Sequence, residues 1–143
     1  SAASDVYKRQ TDMTLGIVAN NAEITGEGTY TVSLDFSDCG IPKGVLFSAL
    51  GIYNGEKFFP GYTISIDEVK VNGEVRELSG KEYTCSDDGN CTRVNLYNQW
   101  VTSIPDDCRH ADGDKSDLSA TVLPVKDNEI LSTLEITFTY SAP

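Results

Sequence analysis

The segment Thr92-Arg93-Val94-Asn95-Leu96-Tyr97-Asn98-Gln99-Trp100 concentrates the side chains best suited to holding a ligand without covalent chemistry. If Val94 and Leu96 of a strand turn into a core, Arg93, Asn95 and Tyr97 share the opposite face, successive members standing about 7 Å apart. Such a face sets a planar ring beside fixed donors and acceptors. A pyranose calls for both, because its C–H face packs on an aromatic ring while its hydroxyl rim needs hydrogen-bond partners. Trp100, the only tryptophan, either extends this platform or caps one end of the core. Tyr53 sits in Ile52-Tyr53-Asn54-Gly55-Glu56-Lys57-Phe58-Phe59-Pro60-Gly61-Tyr62, where it is placed to line a groove, whereas Phe59 before Pro60 reads as a core plug.

Catalytic and metal chemistry find less support. His110, the only histidine, lies in the polar stretch 106–114, and the chain has no Gly-x-Ser-x-Gly elbow. A single histidine also argues against a cupin-type metal centre. Glycoside hydrolysis needs two carboxylates about 5–10 Å apart. Among 22 acidic residues such pairs arise by number alone, and Glu23, Glu27, Glu68 and Glu129 fit surface charge. No catalytic residue and no cofactor is assigned, and the chain reads as no enzyme. Asp112, Asp114 and Asp117 offer hard oxygen ligands for a structural calcium, or form a charged loop; their spacing is not that of an EF-hand.

The chain has 143 residues, enough for one domain, and a net charge of −11 opposes attraction to nucleic acid or anionic membrane. No apolar stretch approaches the roughly 18 residues of a spanning helix. Four cysteines fit two disulfides and a secreted or cell-surface setting, with three pairings open. Cys85 and Cys91 flank the turn-forming Ser86-Asp87-Asp88-Gly89-Asn90 and are placed to meet across a hairpin, which leaves Cys39 for Cys108. Their spacing lacks the paired Cys-x-x-Cys of a zinc site.

The elements that must carry these groups are strands. Tyr30, Val32, Leu34 and Phe36 alternate with polar neighbours, and residues 45–52, 62–67, 68–71, 92–97, 121–125 and 134–140 have similar character. Asn72-Gly73 signals a tight hairpin. Helical periodicity is absent; single turns are expected at most over 98–104 and 127–131. The expected fold is all-β, an antiparallel two-sheet β-sandwich of jelly-roll type over 11–143, with residues 1–10 a disordered tail or assembly scar.

Gly26-Glu27-Gly28-Thr29-Tyr30-Thr31-Val32-Ser33-Leu34, then Phe59-Pro60 ahead of Thr63-Ile64-Ser65-Ile66-Asp67-Glu68-Val69-Lys70-Val71-Asn72-Gly73, then Ser86-Asp87-Asp88-Gly89 before Arg93 to Trp100, together resemble a known family. They are similar in order and spacing to the β-sandwich carbohydrate-binding modules appended to cellulases and plant-cell-wall hydrolases of anaerobic gut bacteria. The resemblance covers residues 14–140. It implies a noncatalytic module that binds a polysaccharide such as cellulose, mixed-linkage β-glucan or xyloglucan and is joined to a glycoside hydrolase. Arg93, Asn95 and Tyr97 are then the central contacts, flanked by Trp100 or Tyr53. Members usually begin with a Trp-rich strand, whereas the stretch up to Val18 has no tryptophan. A missing edge strand would expose a sheet edge. The alternative is a structural or adhesive β-sandwich that assembles through protein contacts.

Overall fold

The computed structural model describes residues 2–10, 13–35, 44–78, 84–87, 90–98, 109 and 132–143. Nine strands and one short helix follow in the order β1 (Ala2–Gln10), β2 (Met13–Ala22), β3 (Gly28–Asp35), β4 (Gly44–Ile52), α1 (Gly55–Phe58), β5 (Thr63–Val71), β6 (Glu74–Arg76), β7 (Cys85–Asp87), β8 (Cys91–Asn98) and β9 (Thr133–Ser141) among the described residues. They form a five-stranded sheet, β2-β1-β4-β8-β7, and a four-stranded sheet, β3-β9-β5-β6. Every pairing is antiparallel. The all-β, two-sheet expectation is therefore met.

Period-two burial explains why these segments are strands. In β9, Leu134, Ile136, Phe138 and Tyr140 are buried while the residues between them are half-exposed. They join Val32 and Leu34 of β3, Leu50 and Ile52 of β4, Ile64, Ile66, Val69 and Val71 of β5, and Val94 and Leu96 of β8 in one core. Both sheets contribute one face to it, the arrangement that removes most apolar surface from water.

The apolar phase of β5 shifts between Ile66 and Val69, so the sequence reads as two segments, 62–67 and 68–71. The structure has one continuous strand with a bulge: pairing with β9 passes from Ile66 to Glu68 and leaves Asp67 over. The Thr139 hydroxyl donates to the Asp67 carboxylate at 2.6 Å, anchoring the extra residue on the outward face. Further hydroxyl pairs cross from β3 to β9 on that face, Thr29 with Thr139 at 3.2 Å and Thr31 with Thr137 at 3.1 Å.

The Asn72-Gly73 hairpin forms as expected, with positive φ at both residues, 54° and 83°. Such a pair fits a primed turn that follows strand twist. Asn72 Oδ1 also accepts from the backbone N–H groups of Ser132 and Thr133, at 2.6 and 3.2 Å, which docks the turn onto the start of β9.

Residues 2–10 do not form the expected disordered tail. Their stretch from Ala2 to Gln10 is β1, an inner strand paired with β2 on one side and β4 on the other. Pairing along both edges specifies such a strand more strongly than its own propensity, and Asp5, Lys8 and Arg9 hide any period of two. The segments 121–125 and 127–131, and most of 98–104, lie outside the described residues.

Phe138→Ala is expected to lower unfolding free energy by about 3–5 kcal/mol through the lost transfer energy and the cavity. Thr137→Ala, on the opposite side of the same strand, is expected to cost about 1 kcal/mol or less. Urea denaturation of the two variants checks the difference.

Candidate functional site

β8 carries the ligand-binding residues expected from sequence, but its register divides them. Val94 and Leu96 are buried in the core as expected. Arg93 pairs with Gly51 of β4, and Asn95 with Ala49, which puts Arg93 and Asn95 together on the outward side of the five-stranded sheet. Arg93 Nε donates to Asn95 Oδ1 at 3.2 Å. Asn95 is only 6% exposed, and its Oδ1 holds the Arg93 guanidinium.

Tyr97 does not join them. Pairing with β4 jumps from Ala49 opposite Asn95 to Ser48 opposite Tyr97, so Leu96 is the extra residue of a bulge. Directly paired residues share a face, and Ser48 lies on the same side as Leu50. Tyr97 is thereby turned to the core side, where it is half-buried against the apolar cluster. Simple alternation fails at this one inserted residue. Trp100 lies outside the described residues.

Tyr53 follows β4 directly, two residues beyond Gly51, and is 47% exposed. Gly51, the partner of Arg93 across the β4–β8 ladder, has no side chain of its own. Its place is also fixed by space: a Cβ there would stand 3.1 Å from Cys91 Sγ. The structure thus keeps Tyr53, Arg93 and Asn95 at one end of the β4–β8 pair.

The expected hairpin between Cys85 and Cys91 forms, yet no disulfide joins them. Cys85 is opposite Arg93, and Cys91 is opposite Asp87, so the two cysteines are diagonal neighbours. Diagonal neighbours stand about 7–8 Å apart, beyond the roughly 4.4–6.8 Å between Cα atoms that a disulfide spans. Cys39 and Cys108 lie outside the described residues, as do His110 and the three aspartates at 112, 114 and 117.

Sequence reasoning missed the helix and the polar cluster beneath it. α1 is one turn long, entered through Asn54 in the left-handed region at φ 59°, a conformation asparagine tolerates. It rests directly on β8: a Cβ at Gly55 would stand 2.9 Å from the Thr92 Cβ, so only glycine lets the helix approach. Glu56 N–H donates to the Asn90 carbonyl at 2.8 Å. The Glu56 carboxylate accepts from the Thr92 hydroxyl and from Arg109 Nη2, the latter at 2.5 Å. Arg109 also donates to the Tyr62 carbonyl from Nε at 3.0 Å and Nη2 at 2.8 Å.

Arg109 is itself fixed by exchanging two backbone hydrogen bonds with Thr84, at 2.7 and 2.6 Å. The Thr84 hydroxyl bridges to the backbone of Ile64 in the other sheet. Phe59, the expected plug, is packed against the core, its ring meeting Tyr140 edge-on at 5.8 Å. Nothing local marks Arg109, because its partners are 47 and 53 residues away in sequence. Asn54-Gly55, which reads as a turn, concealed α1.

Tyr140 ends this cluster from the core side. It is fully buried, and its hydroxyl has no hydrogen-bond partner among the described residues. Burial pushes the phenol from 10.0 up to about 12; the adjacent Thr92 hydroxyl, already committed to Glu56, offsets only part of this. The raised value means that the folded state favours the neutral phenol, so its contribution is intact below pH 10 and is lost as pH rises toward 12. Wild type is expected to lose about 2 kcal/mol more than Tyr140→Phe across that window. At pH 7 the variant is expected to be at least as stable, since it removes a buried hydroxyl that has no partner among the described residues. Urea unfolding at neutral and alkaline pH measures both differences.

No family model, curated protein or solved structure matches the chain.

Proposed function

We propose that the chain is a noncatalytic carbohydrate-binding module for plant-cell-wall β-glucans, secreted or surface-borne and joined to a glycoside hydrolase. The observations that carry this reading are the exposed Tyr53 just past the end of β4 and, on the neighbouring strand, an Arg93 guanidinium held by Asn95. The ring offers a stacking surface to a sugar's C–H face, and the guanidinium offers directed donors to its hydroxyls. Neither requires a covalent step. Glu56, the partly buried carboxylate nearest this end, is committed to Arg109 and Thr92, which suits a structural charge better than a general acid.

One feature favours the adhesive alternative. β2 ends its sheet among the described residues, runs ten residues from Met13 to Ala22, and has no charged side chain in its sequence. Long uncharged edges invite strand addition. Regular assemblies in size-exclusion chromatography would favour that reading, and a monomer favours the module.

Titration calorimetry with mixed-linkage β-glucan, xyloglucan and cellohexaose tests the proposal. Saturable binding of micromolar or weaker affinity is expected, because each ring contributes about 1–2 kcal/mol. Tyr53→Ala and Arg93→Ala are each expected to weaken it about tenfold. Tyr97→Ala should instead lower the melting temperature, as its ring supports the core. Absence of heat from every glycan, with the protein folded, would sink the proposal.

A further inference from the structure

Phe58 is 64% exposed, more than Tyr53 and more than any other large apolar side chain among the described residues. A lone exposed ring is ordinary on a protein surface. Phe58 differs in being held within a fixed loop and in having a second exposed ring five residues away. Its N–H donates to Asn54 O at 3.0 Å, so it stands one helical turn above the residue that follows Tyr53. The Lys57 ammonium lies 5.5 Å from its ring centroid and adds a hydrogen-bond donor beside the ring.

A helix of four residues has little stability of its own. Asn54 provides no side-chain cap, so α1 depends on tertiary contacts. Those contacts converge on Glu56: its N–H reaches Asn90, and its carboxylate reaches Thr92 and Arg109. Arg109 completes the frame at Tyr62, beyond the far end of the loop. The segment carrying both exposed rings is thereby tied at its middle and at its exit.

We propose that Phe58 is a second stacking platform for a sugar ring and that Glu56, through Arg109 and Thr92, is the positioning residue that fixes it in place on the connection that also carries Tyr53. The inference rests on the carbohydrate-binding reading and extends its site from the face of β8 onto the β4–β5 connection. An oligosaccharide long enough to meet both rings is the ligand class this site takes. Pre-fixing the rings also spares the ordering of a mobile loop on binding.

The test combines calorimetry against cellohexaose, thermal melting and amide hydrogen exchange of the full chain. Phe58→Ala is expected to weaken binding about 5- to 30-fold with an unchanged melting temperature, and Phe58→Trp to retain it. Glu56→Gln is expected to speed exchange at the amides of Lys57, Phe58 and Phe59 and to weaken binding several-fold. Should that variant fail to fold, Arg109→Lys reads the same contact by the same two measurements. Unchanged affinity in Phe58→Ala alongside a loss in Tyr53→Ala would overturn the Phe58 platform and leave the wider reading standing. Unchanged exchange and affinity in Glu56→Gln would overturn the positioning role. No binding of any glycan by wild type would overturn both the wider reading and this extension.

Discussion

Along β9, Leu134, Ile136, Phe138 and Tyr140 leave water on one side while Thr133, Glu135, Thr137 and Thr139 face the other way. β9 pairs with β3 on one edge and β5 on the other, so its alternation sets the phase of both neighbours. A slip of one residue would bring Glu135 or Thr137 into the core, a large penalty for groups without partners there. The other sheet answers this surface with Leu50, Ile52, Val94 and Leu96. Tyr140 ends the row, and the apolar interior there gives way to the charged pair of Glu56 and Arg109.

That transition gives α1 its location. Few contacts inside a four-residue helix can hold it, yet Gly55 lets it lie against Thr92, and Glu56 gains a cation and a hydroxyl there. Partial burial of the pair strengthens its electrostatics, and Nε and Nη2 of the guanidinium also donate to Tyr62 O. Ring-bearing residues on either side of Glu56 inherit this rigidity. The position of the aromatic loop is thus a product of core packing as much as of its own sequence.

Periodicity made most strands legible, because β3, β5, β8 and β9 bury alternate side chains and Asn72-Gly73 has the chemistry its turn demands. It misjudged Tyr97 for a definite reason: an inserted residue reverses the face of everything after it, and Leu96 looks like any other core residue. Asp67 is the same event in β5, where the phase change was visible but read as a break between strands. The cysteines at 85 and 91 were close enough in sequence for a bridge, but the pairing register, which local spacing does not encode, set them on a diagonal. β1 was missed because an inner strand takes its partners from both sides and needs little pattern of its own. Arg93 and Asn95 share the face that alternation gives them because they precede the bulge, whereas Arg109 and Glu56 are joined across 53 residues with no local trace.

The outward face of the four-stranded sheet contains a hydrogen-bond chain whose direction is settled by counting protons. Thr139 gives its only hydroxyl proton to Asp67, so in its pair with Thr29 it must be the acceptor and Thr29 the donor. The chain therefore runs one way, from β3 through β9 to the bulge in β5, and it ends on a negative charge that polarises each preceding link. Three strands are read at once by this polar relay. It ties the alignment of the three strands on the solvent side to a set of polar partners separate from the apolar match on the other face.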